Sequence, residues 1–340
     1  MVFSSHLMHA LQEQVIGQEY AIAALTRAVT LALADGRYSD SNRPLAALLF
    51  AGPIGTGKMH LAQALAQVLL GDERKLIYVN CQILGQASDH QANLSEQLMA
   101  GSMLSQSTPP FTNPPFSIMV FESIDKAPPV FRDYLAAAID RGLLHAGGHM
   151  FSLRNTFIIL TGDLSKKQTD QLVGRTIGFF GDGENGPEEE KPRPSTVVLD
   201  EIDNLLGASL VNRIEEIVIF DRLDEQNVIT FLETKLSEVD QKLAKSGIGF
   251  RIEEEGKTFL LRHCLDDPTH RVRQIKRVIR NFLEFPLYDL MLSGQLAPGT
   301  VVMVNHEAPW NFLNFRVMVP RLAPPTERLG MMGRNPFVIG

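Results

Sequence analysis

The sequence has few of the residues that build disulfide frameworks, zinc sites or membrane spans. Its 340 residues include two cysteines and one tryptophan, and aromatic residues make up 7%. Cys81 and Cys264 lie far apart with no Cys-x-x-Cys or Cys/His spacing, so they indicate neither a disulfide framework nor a zinc site and are predicted to be core thiols. No apolar run reaches the ~18 residues of a membrane helix, and the N-terminus has no signal pattern. We therefore expect a cytoplasmic protein with no membrane partner.

The charge and the remaining composition are those of a soluble globular protein. The formal net charge is −7, hydrophobic residues make up 44% of the chain, and there are 26 glycines and 19 prolines. An acidic chain argues against a surface that coats nucleic acid, although a local basic patch remains compatible with it. A chain of 340 residues fits one large domain and one smaller domain.

A phosphate-binding loop is the most informative motif. An apolar run from Leu45 to Phe50 has the composition of a buried strand, and an amphipathic helix begins after the loop. The glycines let backbone N–H groups converge on an anion, and the helix N-terminus adds partial positive charge. The predicted nucleotide-binding residues of this loop are Gly52, Pro53, Ile54, Gly55, Thr56, Gly57, Lys58 and Met59.

Lys58 favours the binding of phosphates, whereas Met59 disfavours the binding of the metal ion that accompanies them. Lys58 stands where a lysine reaches the β- and γ-phosphates, so ATP or ADP is the expected ligand. The pattern ends in Ser or Thr, whose hydroxyl ligates Mg²⁺, but this chain has Met59. A thioether has no affinity for a hard cation, so we expect a weakened Mg²⁺ site.

The chain resembles the AAA+ ATPases of the Clp chaperone family. The resemblance rests on Val15-Ile16-Gly17-Gln18 ahead of the loop and on Asn42-Arg43-Pro44 before the strand, and it extends from Leu7 to Val319. It implies a parallel α/β sheet with helices on both faces and a smaller, mainly helical lid with a short β element. The resemblance covers one AAA+ module and does not include the N-terminal substrate-recruiting domain of full Clp proteins. The expected boundaries are 1–222, 223–319 and a tail at 320–340. In that family, Val15 and Ile16 would pack against the adenine base.

The family's metal-and-base motif is altered in this chain. After a predicted strand at residues 117–121, the stretch Glu122-Ser123-Ile124-Asp125-Lys126-Ala127 aligns with it. The resemblance places Glu122 at the aspartate that supports the Mg²⁺ shell and Ser123 at the glutamate that activates the attacking water. A hydroxyl cannot serve as that base at neutral pH without a partner. An alternative register makes Glu122 the base and leaves Phe121 at the metal position, but it breaks the downstream match.

Three further positions match residues that act on the nucleotide in the family. Asp163 lies at the tip that follows the predicted strand 156–161, where the family has an asparagine that orients the water, and its charge would repel the γ-phosphate. Arg213 matches the arginine finger that reaches a neighbouring subunit, which implies a homo-oligomer or a hetero-oligomer with another AAA+ subunit. A helix-capping arginine is the alternative for Arg213. Arg273 resembles the sensor that contacts the nucleotide from the lid, and a basic helix face explains it equally well.

Several segments bear on partners. The polar segment Gln82 to Phe116 lacks the family's Gly-Tyr-Val-Gly pore loop, for which Phe111 or Phe116 could substitute. The tripeptide Ile177-Gly178-Phe179, at the start of a Gly-rich acidic linker, resembles the one that docks on a peptidase ring, although a flexible loop is the alternative. A second hydrophobic run ends in Asp200-Glu201, but it lies beyond the sensor strand and has helical spacing.

Three functions are compatible with these residues. The first is an active Clp-type ATPase that unfolds or remodels protein substrates, and the second is an ATP-binding subunit with weak hydrolysis that acts in remodelling or assembly. The third is a nucleic-acid motor of the wider AAA+ class. The missing pore aromatic and Ser123 favour the second function, whereas the acidic balance disfavours the third.

Overall fold

The computed structural model describes residues 2–34, 43–86, 90–104, 117–163, 202–266 and 271–318. The chain divides into two compact units, Met1–Phe231 with Cys264–Lys276 and Leu232–His263 with Arg277–Gly340. The predicted architecture is confirmed, because a parallel sheet flanked by helices is followed by a helical region with a small sheet. No helix in the described ranges has the length and apolar character needed to cross a membrane.

The first unit is built on a five-stranded parallel sheet of order β2-β3-β6-β1-β7. A hairpin of β4 and β5 lies outside this sheet. The strands are β1 Ala46–Gly52, β2 Ile77–Asn80, β3 Ser117–Glu122, β4 Leu143–Ala146, β5 His149–Ser152, β6 Thr156–Asp163 and β7 Glu216–Ile219.

Helices cover both faces of this sheet. Every residue of β1 is buried, and alternate residues belong to different cores: Ala47, Leu49 and Ala51 to one, Ala46, Leu48 and Phe50 to the other. A strand places successive side chains on opposite faces, which explains why its sequence is apolar throughout. The helices of this part are α1 Val2–Gln14, α2 Glu19–Ala34, α3 Lys58–Leu70, α4 Cys81–Gln86, α5 His90–Leu104, α6 Pro129–Arg141 and α7 Ala208–Val211.

Two parts of the first unit differ from the sequence expectation. The segment described as polar contains α4 and α5, and α5 buries Leu94 and Leu98, four residues apart, against the core. The helical spacing predicted around Asp200-Glu201 continues into residues 202–206, but the helix is interrupted at Gly207, whose φ of 88° lies in the left-handed region, so that residues 202–206 and α7 are separate helical segments.

The C-terminal elements combine helices with a three-stranded sheet of order β10-β9-β8. Strand β8 is parallel to β9, and β9 is antiparallel to β10. A π-helical turn, Arg280–Glu284, ends two residues before Pro286, whose ring lacks the N–H that a regular turn would need. The elements are α8 Glu225–Lys245, β8 Gly249–Ile252, α9 Glu254–Leu265, α10 Arg271–Ile279, α11 Phe285–Leu292, β9 Val301–Asn305 and β10 Asn314–Met318.

Candidate functional site

The loop between β1 and α3 has the curled backbone that an anion site requires. Gly55 and Gly57 have φ values of 84° and 102°, which side-chain-bearing residues rarely adopt, and α3 begins at Lys58. Thr56 Oγ1 donates to the carbonyl of Pro53 at 2.9 Å, and both residues are buried, whereas Ile54 is exposed. Because the first N–H groups of a helix have no intrahelical acceptor, the start of α3 can donate to an anion.

Gly52 is required by the neighbouring strand as well as by the loop. A Cβ at this position would lie 2.4 Å from the backbone oxygen of Phe220 and 2.8 Å from its Cβ. The N–H of Phe220 donates to the carbonyl of Ala51 at 2.8 Å, and this hydrogen bond holds the two backbone segments at their short separation. The loop therefore starts at a close approach between two backbones.

Lys58 is buried with all of its donors in use. Its Nζ donates to the carbonyl oxygens of Gly52 at 2.7 Å and Pro53 at 2.9 Å, and to Asp163 Oδ1 at 2.9 Å. An ammonium group has three N–H donors, so these partners satisfy it completely. Burial lowers the pKa of Lys58, and the negative charge of Asp163 acts in the opposite direction.

Asp163, at the end of β6, forms ion pairs with Lys58 and Lys126. It lies opposite Gly52 in the sheet register, and its second carboxylate oxygen is 3.5 Å from Lys126 Nζ. Its N–H donates to Asp125 Oδ1 at 3.3 Å, and burial raises the pKa of Asp125. The sequence identified a negative charge at this position but did not predict that Lys58 would neutralise it.

Glu122 and Ser123 lie at the end of β3. Glu122 accepts a hydrogen bond from the hydroxyl of Tyr78 on β2, and burial together with this contact raises the pKa of Tyr78. Ser123 has a left-handed backbone with φ 57°, and its N–H donates to Thr161 Oγ1 at 3.1 Å. Phe121, the metal position in the alternative register, is fully buried and offers no ligand atom.

Gln18 was not selected as a site residue from the sequence, although it belongs to the segment that carried the resemblance. Its side chain is 4% exposed, and its Nε2 donates to the carbonyl oxygens of Thr56 at 3.2 Å and Asp221 at 2.8 Å. Its Oε1 accepts from the N–H of Asp221 at 3.2 Å. Gln18 thus connects the phosphate loop to the chain that follows β7. Of its neighbours, Val15 is buried in the core and Ile16 is half-buried.

The metal side of the site has few ligands. Met59 is half-buried and packs against the hydrophobic core on the α1–α3 face of the sheet. The described residues contain no group of three or more His, Cys, Asp or Glu side chains that could hold a metal ion. At the position where the loop pattern has a hydroxyl, this chain therefore has a thioether.

Arg213, one of the two arginines predicted to act on the nucleotide, forms an ion pair with Asp140 on α6. Arg213 donates from Nε at 2.8 Å and from Nη2 at 2.5 Å to Asp140 Oδ2, and from Nη1 to the carbonyl of Ser209. Arg273 is exposed on α10. The remaining predicted positions, Phe111, Phe116, Ile177-Gly178-Phe179 and Asp200-Glu201, lie outside the described residues.

Comparison with family models decides the classification. A model of the AAA domain (Cdc48 subfamily) matches residues 43–217, and a model of the C-terminal, D2-small domain of ClpB protein matches residues 223–304. The chain belongs to the Clp-type AAA+ family. The predicted resemblance is thereby confirmed.

Individual relatives agree with this assignment. Chaperone protein ClpD of Arabidopsis thaliana, a chloroplastic protein, is 28% identical over 306 residues, covering 86% of this chain and 31% of the relative. Chaperone protein ClpB of Aquifex aeolicus is 29% identical over 307 residues, covering 87% and 29%. ClpC of Staphylococcus aureus, an ATP-binding subunit of the Clp protease, is 27% identical over 304 residues, covering 88% and 36%. The chain spans about a third of the length of these relatives.

A solved structure shows the same fold. The Hsp104–ADP complex of Saccharomyces cerevisiae superimposes with a TM-score of 0.70 at 21% identity, covering 91% of this chain and 52% of the Hsp104 chain. At 21% identity this likeness shows the fold alone, and the chemistry of the site depends on the residues of this chain.

Proposed function

We propose that the chain binds ATP or ADP through the loop Gly52 to Lys58 and acts in nucleotide-dependent protein remodelling or assembly, with weak hydrolysis. The observation that carries this proposal is the curled glycine loop leading into α3 with a buried lysine at its end. Gln18 donates to the loop carbonyl of Thr56 and to the carbonyl of Asp221, and so connects the loop to the chain that follows β7. Family membership favours a nucleotide as the ligand, and Val15, Ile16 and Arg273 remain the proposed contacts to it.

Weak hydrolysis follows from the residues that would act on the γ-phosphate. Met59 offers no hydroxyl to the metal shell, and Ser123 offers no carboxylate to activate water. The carboxylate of Glu122 accepts a hydrogen bond from the hydroxyl of Tyr78. A bound Mg²⁺ ion would supply charge neutralisation for the phosphates, held by them and by water with Glu122 as its protein ligand.

An active Clp-type ATPase is the second candidate, because family membership is equally consistent with it. In both cases we propose a homo-oligomer, or a hetero-oligomer with another AAA+ subunit, in which Arg213 reaches a neighbouring nucleotide. Protein substrates are proposed because the relatives are named as chaperones, and peptidase docking through residues 177–179 remains a prediction. A cytoplasmic location also remains a prediction.

Titration calorimetry with ATP and ADP tests the binding proposal. Lys58→Ala should abolish binding, whereas Lys75→Ala, at an exposed lysine of the same unit, should leave the affinity unchanged. Equal nucleotide affinity in Lys58→Ala and the unmodified protein would refute the site.

Steady-state turnover tests the hydrolysis proposal. The triple variant Met59→Thr, Ser123→Glu, Asp163→Asn should hydrolyse ATP well above the parent, since a positioned base alone contributes about 10² to 10⁴ in rate. Glu201→Gln should leave the parent rate unchanged. A parent turnover of about 1 s⁻¹ or faster, within the usual range of enzymes, would favour the active ATPase instead.

A further inference from the structure

We propose that Asp163 makes the nucleotide site selective for nucleoside diphosphates over triphosphates. Its carboxylate occupies the position on Lys58 that an oxygen of the terminal phosphate would otherwise take. The proposal rests on the nucleotide binding proposed above and assigns the ligand class of that site.

Lys58 already has a partner for each of its N–H groups. Two of its three N–H groups donate to carbonyl oxygens of the loop itself, and the third donates to Asp163 at 2.9 Å. A carboxylate oxygen at this distance has the charge and geometry of a phosphate oxygen bound to lysine. The lysine side chain is 10% exposed and the aspartate side chain 23%, so water screens the pair poorly.

The ion pair of Lys58 and Asp163 lies among further charged side chains. The carboxylates of Glu122 and Asp125 act on Lys58 together with Asp163. Lys126, which is 42% exposed and 3.5 Å from Asp163, is the second cation in contact with this aspartate. A terminal phosphate would displace Asp163 from Lys58 and leave two negative groups side by side, a repulsive arrangement in a partly buried site.

A diphosphate avoids this conflict. Backbone N–H groups of the loop and of the first turn of α3 can bind its phosphates, because these donors are separate from the Lys58 side chain. Lys58 can also exchange one of its two carbonyl partners for a β-phosphate oxygen while it keeps Asp163. The ion pair therefore remains intact with a diphosphate, whereas a triphosphate brings the negative charge of its terminal phosphate against the Asp163 carboxylate.

The test compares ADP with ATP and with a non-hydrolysable ATP analogue by titration calorimetry, with and without Mg²⁺. We expect the unmodified protein to bind ADP at least tenfold more tightly than the analogue, which corresponds to about 1.4 kcal/mol. In Asp163→Asn the ratio should fall below about threefold, mainly through tighter binding of the triphosphate, because the charge is lost and a donor of Lys58 is released. Asp72→Asn, at a half-buried aspartate whose capping role an asparagine can keep, should retain the original ratio.

A second variant guards against failure of Asp163→Asn to fold. Lys126→Ala changes an exposed side chain and removes a cation that neutralises Asp163, so it should raise the preference for ADP further. Equal binding of ADP and the analogue by the unmodified protein, or a ratio that neither variant changes, would overturn this inference and leave nucleotide binding intact. Binding of neither nucleotide, or binding unaffected by Lys58→Ala, would instead overturn the proposed function.

Discussion

Gly52→Ala should destabilise the first unit although it adds only one methyl group. The new Cβ would lie 2.4 Å from the backbone oxygen of Phe220, about an ångström closer than an ordinary contact. The two backbone segments cannot move apart freely, because the N–H of Phe220 donates to the carbonyl of Ala51 at 2.8 Å. The movement would also shift the carbonyl of residue 52, to which Lys58 donates at 2.7 Å.

The size of the effect follows from these two contacts. Overpacking of a closely packed region costs about 1–3 kcal/mol, and loss of one hydrogen bond costs about 0.5–1.5 kcal/mol. The free energy of unfolding should therefore fall by about 2–4 kcal/mol, which lowers the melting temperature of a unit of this size by about 5–15 °C. Nucleotide affinity should fall as well, because the loop begins at this residue.

Gly162→Ala is the matched control. Residue 162 pairs with Ala51 on the other side of β1, and a Cβ there would meet only Leu49 Cδ1 at 3.8 Å, an ordinary contact. Its melting temperature should remain within about 2 °C of the unmodified protein, as measured by circular dichroism and scanning calorimetry. Equal melting temperatures for the two variants would refute the reasoning from the close approach at Phe220.

Three further predictions concern side chains around the loop. Gln18→Ala should lower the free energy of unfolding by about 2–4 kcal/mol in a denaturation assay, because three hydrogen bonds to backbone atoms are lost. Gln14→Ala, on the exposed end of α1, should change the same free energy by less than about 0.5 kcal/mol. Tyr78→Phe releases Glu122 and should increase the dependence of nucleotide affinity on Mg²⁺ in calorimetry, and an unchanged dependence would contradict the role assigned to this contact. Arg213→Ala should weaken ATP-promoted assembly in light scattering, and an unmodified protein that stays monomeric with ATP and has no AAA+ partner would contradict that role.

The sequence predicted the elements whose signals are local. The apolar run that became β1, the glycine loop and the amphipathic α3 are adjacent in the chain, and each has its own residue pattern. The two core thiols were also predicted correctly, since Cys81 and Cys264 are both buried.

The contacts that organise the site could not be read from local patterns. Lys58 and Asp163 are 105 residues apart, and they meet because β1 and β6 pair in a register that places Gly52 opposite Asp163. Gln18 and Asp221 are 203 residues apart. Strand order and register depend on the packing of the whole unit, so only the structure could bring these groups together.

The central position of β1 has a consequence for the order of events during synthesis. The strand pairs with β6 on one side and β7 on the other, and the N–H of Ala47 donates to the carboxylate of Glu215, 168 residues further along. Domains form as units while the chain emerges from the ribosome, and such distant pairing has a high entropic cost. We expect the amide hydrogen of Ala47 to remain exchangeable in nascent chains that end before residue 215, and the amides of β1 to become the most slowly exchanging ones of the unit once β7 has joined the sheet.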